Sequence, residues 1–153
     1  MKGFILLALL SGVLSGLLPS LSNPVFASEG ESKGEAKQIP IMLYFSRTDC
    51  HYCRNFEEDI LKPLINSGTY SAKIIIREVE LDSSQPARTF GHKLKTPEEL
   101  AQMLDVQVTP TLLFVDNNGA ELVSRIVGYQ KTGYYSYHLE EAINQAGEAL
   151  RNH

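Results

Sequence analysis

The residues with the clearest capacity for chemistry are two cysteines, Cys50 and Cys53, which are separated by His51 and Tyr52. They are the only cysteines among the 153 residues of the chain. A cysteine attacks as its thiolate, and two thiols at this spacing can form a disulfide and exchange electrons with another dithiol or disulfide. Such a bridge closes a very short loop and restricts the unfolded chain little, so stabilisation alone does not account for the pair. The spacing therefore predicts thiol–disulfide exchange.

The residues after the pair predict which sulfur does what. Apolar residues follow at helical spacing, which indicates that Cys50 stands at the N-terminus of a helix. Unpaired N–H groups and the helix dipole favour a negative sulfur at that position. We therefore expect Cys50 to attack and Cys53, one turn further in, to resolve the mixed disulfide. A purely structural clip is the alternative, and insulin reduction by a Cys50→Ser variant distinguishes the two.

The neighbours of the pair bear on its redox potential in opposite directions. A protonated His51 stabilises the Cys50 thiolate and makes the disulfide more oxidising. The carboxylate of Asp49 disfavours a second negative charge beside it. His51 and Tyr52 fit equally well as an apolar, hydrogen-bonding docking surface. We treat Asp49, His51 and Tyr52 as the residues that tune the pair.

Metal chemistry is the competing interpretation of the pair. A zinc site usually takes four ligands, and the four histidines are scattered along the chain, so zinc is not predicted. Attachment of a c-type haem requires histidine directly after the second cysteine, where Arg54 stands. Soft thiolates favour copper(I), so a copper-binding or copper-delivery module that uses Cys50 and Cys53 stays the alternative function. Thiol exchange itself needs no bound cofactor, because the electrons reside in the cysteines.

The N-terminal residues differ in composition from the rest. Lys2 precedes an apolar run over residues 4–18, and Val25-Phe26-Ala27 is typical of a cleavage site, so residues 1–27 are predicted to be a signal peptide cleaved near Ala27. The run is shorter than the ~20 residues that span a bilayer, although an uncleaved anchor stays the alternative. Residues 28–38 are polar and predict a flexible linker before a domain over residues 39–153. We expect the domain to be periplasmic or otherwise exported.

Beyond the linker, strand and helix patterns alternate. Strands are predicted at 39–46, 73–81, 112–115 and 121–127, with a hairpin turn at 116–119, and helices at 55–65, 96–104 and 135–150. Pro63 predicts a kink or an early end of the first helix, and residues 82–95 are expected to be an irregular surface excursion. Crossover helices imply parallel strands and the hairpin implies antiparallel ones, so the order predicts an α/β fold with a central mixed sheet.

Composition and charge limit the class of protein. The net charge is −4 and the basic residues form no cluster, so we expect no nucleic-acid partner. With 43% hydrophobic residues the chain can build one ordinary core. We expect a monomer.

The strand before the cysteines, the pair Thr109-Pro110 before another strand and the Asn118-Gly119 hairpin together resemble the thioredoxin superfamily, over about residues 39–150. The resemblance implies a thioredoxin-like three-layer fold and protein disulfides or dithiols as substrates. It also implies a cis Thr109–Pro110 bond that faces the cysteines and binds substrate backbone. The periplasmic thioredoxin-like branch, linked with sulfur oxidation or cytochrome c maturation, is most similar, and a membrane-linked partner would then recharge the pair.

The chain departs from ordinary thioredoxin around the cysteines. His-Tyr replaces Gly-Pro between them, Tyr44 stands where thioredoxin buries an acid, and Glu78 stands where it has a lysine. One hypothesis is that Glu78 supplies the missing base, directly or through water; the alternative is a solvated strand residue. Whether the protein oxidises or reduces stays open. We favour a reductant, because nothing in the sequence resembles the helical insertion of dedicated disulfide oxidases.

Overall fold

The computed structural model describes residues 38–131 and 133–152. The predicted signal peptide and almost all of the predicted linker lie outside these residues, so cleavage near Ala27 stays a prediction. Within the described residues, no helix is long and apolar enough to cross a membrane.

The elements of the described chain alternate much as the sequence pattern predicts. In order they are β1 (Ile41–Ser46), α1 (His51–Phe56), a π-helical segment (Glu57–Leu61), α2 (Lys62–Ser67), β2 (Ile75–Glu80), β3 (Ala87–Arg88), a 3₁₀ turn (Phe90–His92), β4 (Leu94–Lys95), α3 (Pro97–Met103), β5 (Thr111–Val115), β6 (Glu121–Val127) and α4 (Gly133–Arg151).

The central sheet has the strand order β2-β1-β5-β6. β1 pairs with β2 in parallel and with β5 antiparallel, and β6 is antiparallel to β5. The helical chain between β1 and β2 makes the parallel crossover, while β5 and β6 are joined by a short turn, in which the Asp116 carbonyl accepts from the N–H of Gly119. The predicted mixed sheet is therefore confirmed.

Alternation along the buried strands divides the core into two halves. On β1, Tyr44 belongs to one cluster, which also contains Phe56 from α1 and Leu139 from α4. The adjacent Phe45 belongs to the other cluster, which contains Leu100 from α3. Because successive strand side chains point to opposite faces, helices must cover both faces of this sheet. This arrangement confirms the predicted α/β three-layer fold.

The helix that follows the cysteines continues past Pro63 to Ser67. Immediately before the proline it is π-helical, and the N–H of Lys62 donates to the carbonyl of Glu57, five residues earlier. A proline has no N–H to donate in the helix, so the wider turn accommodates the missing bond. The predicted early end at Pro63 is wrong, because the helix ends only at Gly68, whose φ is 64°. The predicted kink stays a prediction.

The predicted irregular excursion over residues 82–95 contains regular structure. Its β3 and β4 form a small antiparallel hairpin, with Ala87 opposite Lys95 and Arg88 opposite Leu94. Such short strands give no detectable alternation, which is why the sequence pattern misses them. The predicted start of the next helix is confirmed: Thr96 and Glu99 form a capping box at the beginning of α3.

Candidate active site

Cys50 occupies the N-cap of α1. Its backbone is extended (φ −83°, ψ 104°), and its sulfur accepts a hydrogen bond from the N–H of Cys53 at 3.1 Å. A sulfur at this position lies at the positive end of the helix dipole and receives an otherwise unpaired N–H group, and both interactions favour a thiolate when the disulfide is reduced. The sequence prediction that Cys50 begins this helix is confirmed.

The two sulfurs differ in accessibility. Cys50 and Cys53 form a disulfide, with Cα atoms 5.2 Å apart. Cys50 is half-buried, whereas only 1% of Cys53 is exposed. A partner molecule can therefore approach Cys50 far more easily than Cys53.

The loop before Cys50 is fastened to the end of β2. The Thr48 hydroxyl donates to Asp82 at 2.6 Å and lies 2.9 Å from Oε1 of Glu80, and the Thr48 N–H also donates to Asp82. On the other side, the guanidinium of Arg54 donates to the carbonyl of Thr48 at 3.3 Å. The Thr48 hydrogen bond is the main cause that holds the pKa of Asp82 below its usual value. These bonds fix the chain at the point where it enters the cysteine motif.

Tyr44 forms the floor beneath the cysteine helix. It is fully buried, and its hydroxyl lies 2.8 Å from Oε1 of Glu57 and 3.5 Å from the carbonyl oxygen of Cys53. Burial, and next the hydrogen bond to Glu57, raise the pKa of Tyr44 far above its ordinary value, so the phenol keeps its proton. The tyrosine that stands in place of a buried acid thus lies between the backbone carbonyl of Cys53 and the carboxylate of Glu57.

A second tyrosine–carboxylate contact ties this helix to the chain that follows β6. Tyr129 donates to Oδ2 of Asp59 at 2.9 Å, and Lys131 lies 3.1 Å from Oδ1. The bonds from Lys131 and then Tyr129 lower the pKa of Asp59. The rings of Tyr129 and Tyr135 both contact Phe56, with centroids 5.9 Å apart in each case.

The Thr109–Pro110 peptide bond is cis, as the resemblance leads one to expect. Pro110 is buried, and its carbonyl accepts a hydrogen bond from the N–H of Gly128 at 2.7 Å. An open groove of about 410 Å³ connects this bond with the cysteine motif, and Tyr52, Thr109, Pro110, Val127 and Gly128 are among the residues that line it. The structure thus brings Tyr52 and the Thr109–Pro110 pair to one surface.

The other predicted tuning residues surround the motif without converging on the buried sulfur. Asp49 and His51 are exposed, and Nε2 of His51 lies 3.2 Å from Nδ2 of Asn55. Glu78 pairs laterally with Tyr44 in the sheet, but its carboxylate accepts from the hydroxyl of Ser46 at 2.7 Å. The role of Glu78 as a base therefore stays a prediction.

Glu57 is the residue that the sequence reasoning missed. A signal was present, since Glu57 follows Cys53 by four residues and so lies on the same helical face. Across residues 38–131 and 133–152, no group of three or more His, Cys, Asp or Glu side chains is placed to hold a metal ion. The copper alternative thus gains no support from the described chain.

A disulfide at a helix N-terminus, next to a cis-proline groove on this three-layer fold, defines a thiol–disulfide oxidoreductase. Residues 27–143 match the family model described as a thioredoxin-like domain, and the chain belongs to that family. No curated protein sequence matches the chain.

Solved structures share the fold at low sequence identity. A thioredoxin-fold protein from Helicobacter pylori is 19% identical with a TM-score of 0.52, and the match covers 76% of this chain and 87% of that one. A thioredoxin from Malassezia sympodialis is 21% identical with a TM-score of 0.51, covering 72% and 76%. A thioredoxin from Nicotiana alata is 22% identical with a TM-score of 0.50, covering 73% and 76%.

Proposed function

We propose that the protein is an exported reductant of protein disulfides in which Cys50 attacks and Cys53 resolves. The observation that carries the proposal is the difference between the two sulfurs: Cys50 is half-buried at the helix N-cap, and Cys53 is 1% exposed beneath it. An accessible thiolate suits attack on an external disulfide, while a covered thiol can reach only its neighbour.

The reaction follows from that arrangement. The Cys50 thiolate attacks one sulfur of a substrate disulfide, and the other substrate sulfur leaves and takes up a proton. The sulfur of Cys53 then attacks that of Cys50, which breaks the mixed disulfide and releases the second substrate thiol. Two electrons pass to the substrate, and the protein is left with the Cys50–Cys53 disulfide present in the structure.

The groove beside the motif is the proposed binding site for the substrate chain. Thr109 and Pro110 line it, and the exposed side chains of Tyr52 (60%), within the cysteine motif, and of Val127 (56%) add apolar surface to it. An extended peptide that lies over Thr109–Pro110 would bring its own disulfide to Cys50. His51, Asp49 and Tyr52 then tune the potential and the docking, as the sequence indicates.

The proposed location is the periplasm or another exported compartment. It rests on the signal-peptide pattern that ends near Ala27 and on the resemblance to the periplasmic branch linked with sulfur oxidation or cytochrome c maturation. A reductant there needs a membrane-linked partner to restore its dithiol, because that compartment has no glutathione buffer. Cell fractionation and the mass of the mature protein test this part: an intact N-terminus in the cytoplasm would contradict it.

A trapping experiment tests the roles of the cysteines. In a Cys53→Ser variant the mixed disulfide at Cys50 cannot be resolved, so partner proteins should stay covalently attached until a thiol reductant is added. The matched control is Cys50→Ser, which we expect to trap far less. Insulin reduction should be lost in both variants. Equal or greater trapping by Cys50→Ser would refute the assigned roles.

The direction of electron flow has its own measurement. Equilibration of the wild-type pair with glutathione or dithiothreitol gives its reduction potential. A reductant should lie near the thioredoxin end of the known range, at about −270 mV, and a value near −120 mV would make the protein an oxidant instead.

A further inference from the structure

Cys53 must lose a proton before it can attack, yet it is almost completely enclosed. Only 1% of it is exposed, and it packs in the same cluster as Tyr44 and Phe56. A neutral thiol is a weak nucleophile, so a buried resolving cysteine needs a group that accepts its proton. Solvent has little access to do so.

The structure places a tyrosine–carboxylate pair beside the backbone of Cys53. The Tyr44 hydroxyl lies against Cys53, 3.5 Å from its carbonyl oxygen, and 2.8 Å from Oε1 of Glu57. Because a hydroxyl both donates and accepts, Tyr44 can give its proton to Glu57 while its oxygen receives another. Glu57 itself is half-buried, so its far side can exchange protons with water.

The remaining charged and titratable groups around Tyr44 come from neighbouring elements. Glu78 on β2 and Tyr135 on α4 both contribute to the raised pKa of Tyr44, after burial and Glu57. Glu78 accepts from Ser46, and Tyr135 donates to the carbonyl of Gly128 at 3.3 Å. Glu57 is therefore the carboxylate that contacts the Tyr44 hydroxyl directly.

We propose that Glu57, acting through Tyr44, accepts the proton of Cys53 when Cys53 resolves the mixed disulfide. The thiol proton moves to the Tyr44 oxygen as the Tyr44 proton moves to Glu57. The sulfur of Cys53 bonds to that of Cys50, and the substrate sulfur leaves with the electron pair. Glu57 then releases its proton to water. This inference rests on the proposed reductase function, and it assigns the acid–base role to Glu57 and not to Glu78.

The two chemical steps can be observed separately with a small aromatic disulfide whose released thiolate is coloured. Mixing it with reduced protein in a stopped-flow instrument gives a first release as Cys50 attacks and a second release as Cys53 resolves. The first phase reports on the proposed function, and the second reports on this inference. If wild-type protein lacked the first phase, the proposed function would fail irrespective of Glu57.

Glu57→Gln should slow the second phase about tenfold near neutral pH and leave the first phase unchanged. A tenfold loss is less than the full rate enhancement that a well-positioned general base usually provides. The deficit should shrink as the pH rises, because a larger fraction of Cys53 is then already a thiolate before it attacks. Glu57→Asp should recover part of the rate. Tyr44→Phe keeps the buried ring but removes the hydroxyl, so it should slow the second phase as Glu57→Gln does. It tests the inference independently if Glu57→Gln does not fold.

Glu78→Gln is the matched control, since it removes a carboxylate paired across the sheet from Tyr44. We expect wild-type phases from it. The inference is overturned if Glu57→Gln and Tyr44→Phe resolve with the wild-type rate and pH profile, or if Glu78→Gln alone slows the second phase.

Discussion

Phe56 should be the residue whose truncation most directly tests how the cysteine helix is held. It is fully buried, three residues after Cys53, and its ring lies 5.0 Å from that of Tyr44 as well as 5.9 Å from those of Tyr129 and Tyr135. Replacing a buried phenylalanine with alanine costs about 3–5 kcal/mol of unfolding free energy. With an m-value of about 2 kcal/mol/M, a loss of about 4 kcal/mol lowers the urea midpoint by about 2 M.

The assay is urea unfolding of the oxidised protein, followed by far-ultraviolet circular dichroism or by tyrosine fluorescence, since the chain has no tryptophan. Ile65→Ala is the matched control, because Ile65 lies on α2 and is 55% exposed. Its effect should stay within about 0.5 kcal/mol. If Phe56→Ala lost less than about 1 kcal/mol, or no more than Ile65→Ala, the aromatic cluster would not be what fastens this helix.

Two further predictions concern the entry loop and the groove. The Thr48 contact depresses the pKa of Asp82 in the folded protein. The contact therefore contributes to stability above the ordinary carboxyl pKa of about 3.9, and this contribution is lost as the pH falls through the lowered pKa of the folded state. Between about pH 6 and about pH 3, the urea midpoint of Asp82→Asn should therefore fall less than that of the wild type, and a parallel fall would contradict the contact. Val127→Asp places a charge in the groove and should slow insulin reduction by about fivefold or more, a cost of about 1 kcal/mol, without changing the reaction with a small aromatic disulfide. Leu94→Asp, at a site 63% exposed on β4, is its control, and an equal loss there would show that the groove is not the docking surface.

The sequence predicts best what local patterns determine. The position of Cys50 follows from a helical apolar pattern that begins just after it, and the start of α3 follows from Thr96 and Glu99 in one turn. The strands of the sheet follow from apolar runs, although β1 begins at Ile41 and not at residue 39. Pro40 precedes it and contributes only its carbonyl, which accepts from the N–H of Ile75.

Contacts between distant parts of the chain were harder to predict. Whether the acid beside Tyr44 comes from Glu78 or Glu57 depends on the sheet register and on the rotation of a helix above it. Sequence spacing alone gives neither the register of β2 against β1 nor the rotation of the helix above the sheet. The sequence correctly directs attention to Tyr44 as a departure from the thioredoxin pattern, but only the fold shows which carboxylate meets it.

The π-helical segment at Glu57–Leu61 has a consequence for how this chain is compared with others. A turn closed by a bond over five residues holds one residue more than a turn closed over four. Against a protein whose corresponding helix is α-helical throughout, the correct alignment therefore needs a one-residue gap inside this segment. An ungapped alignment would match the cysteines and yet shift every position of α2 by one, so the half-buried Leu64 and the exposed Ile65 would be compared with residues on the wrong faces.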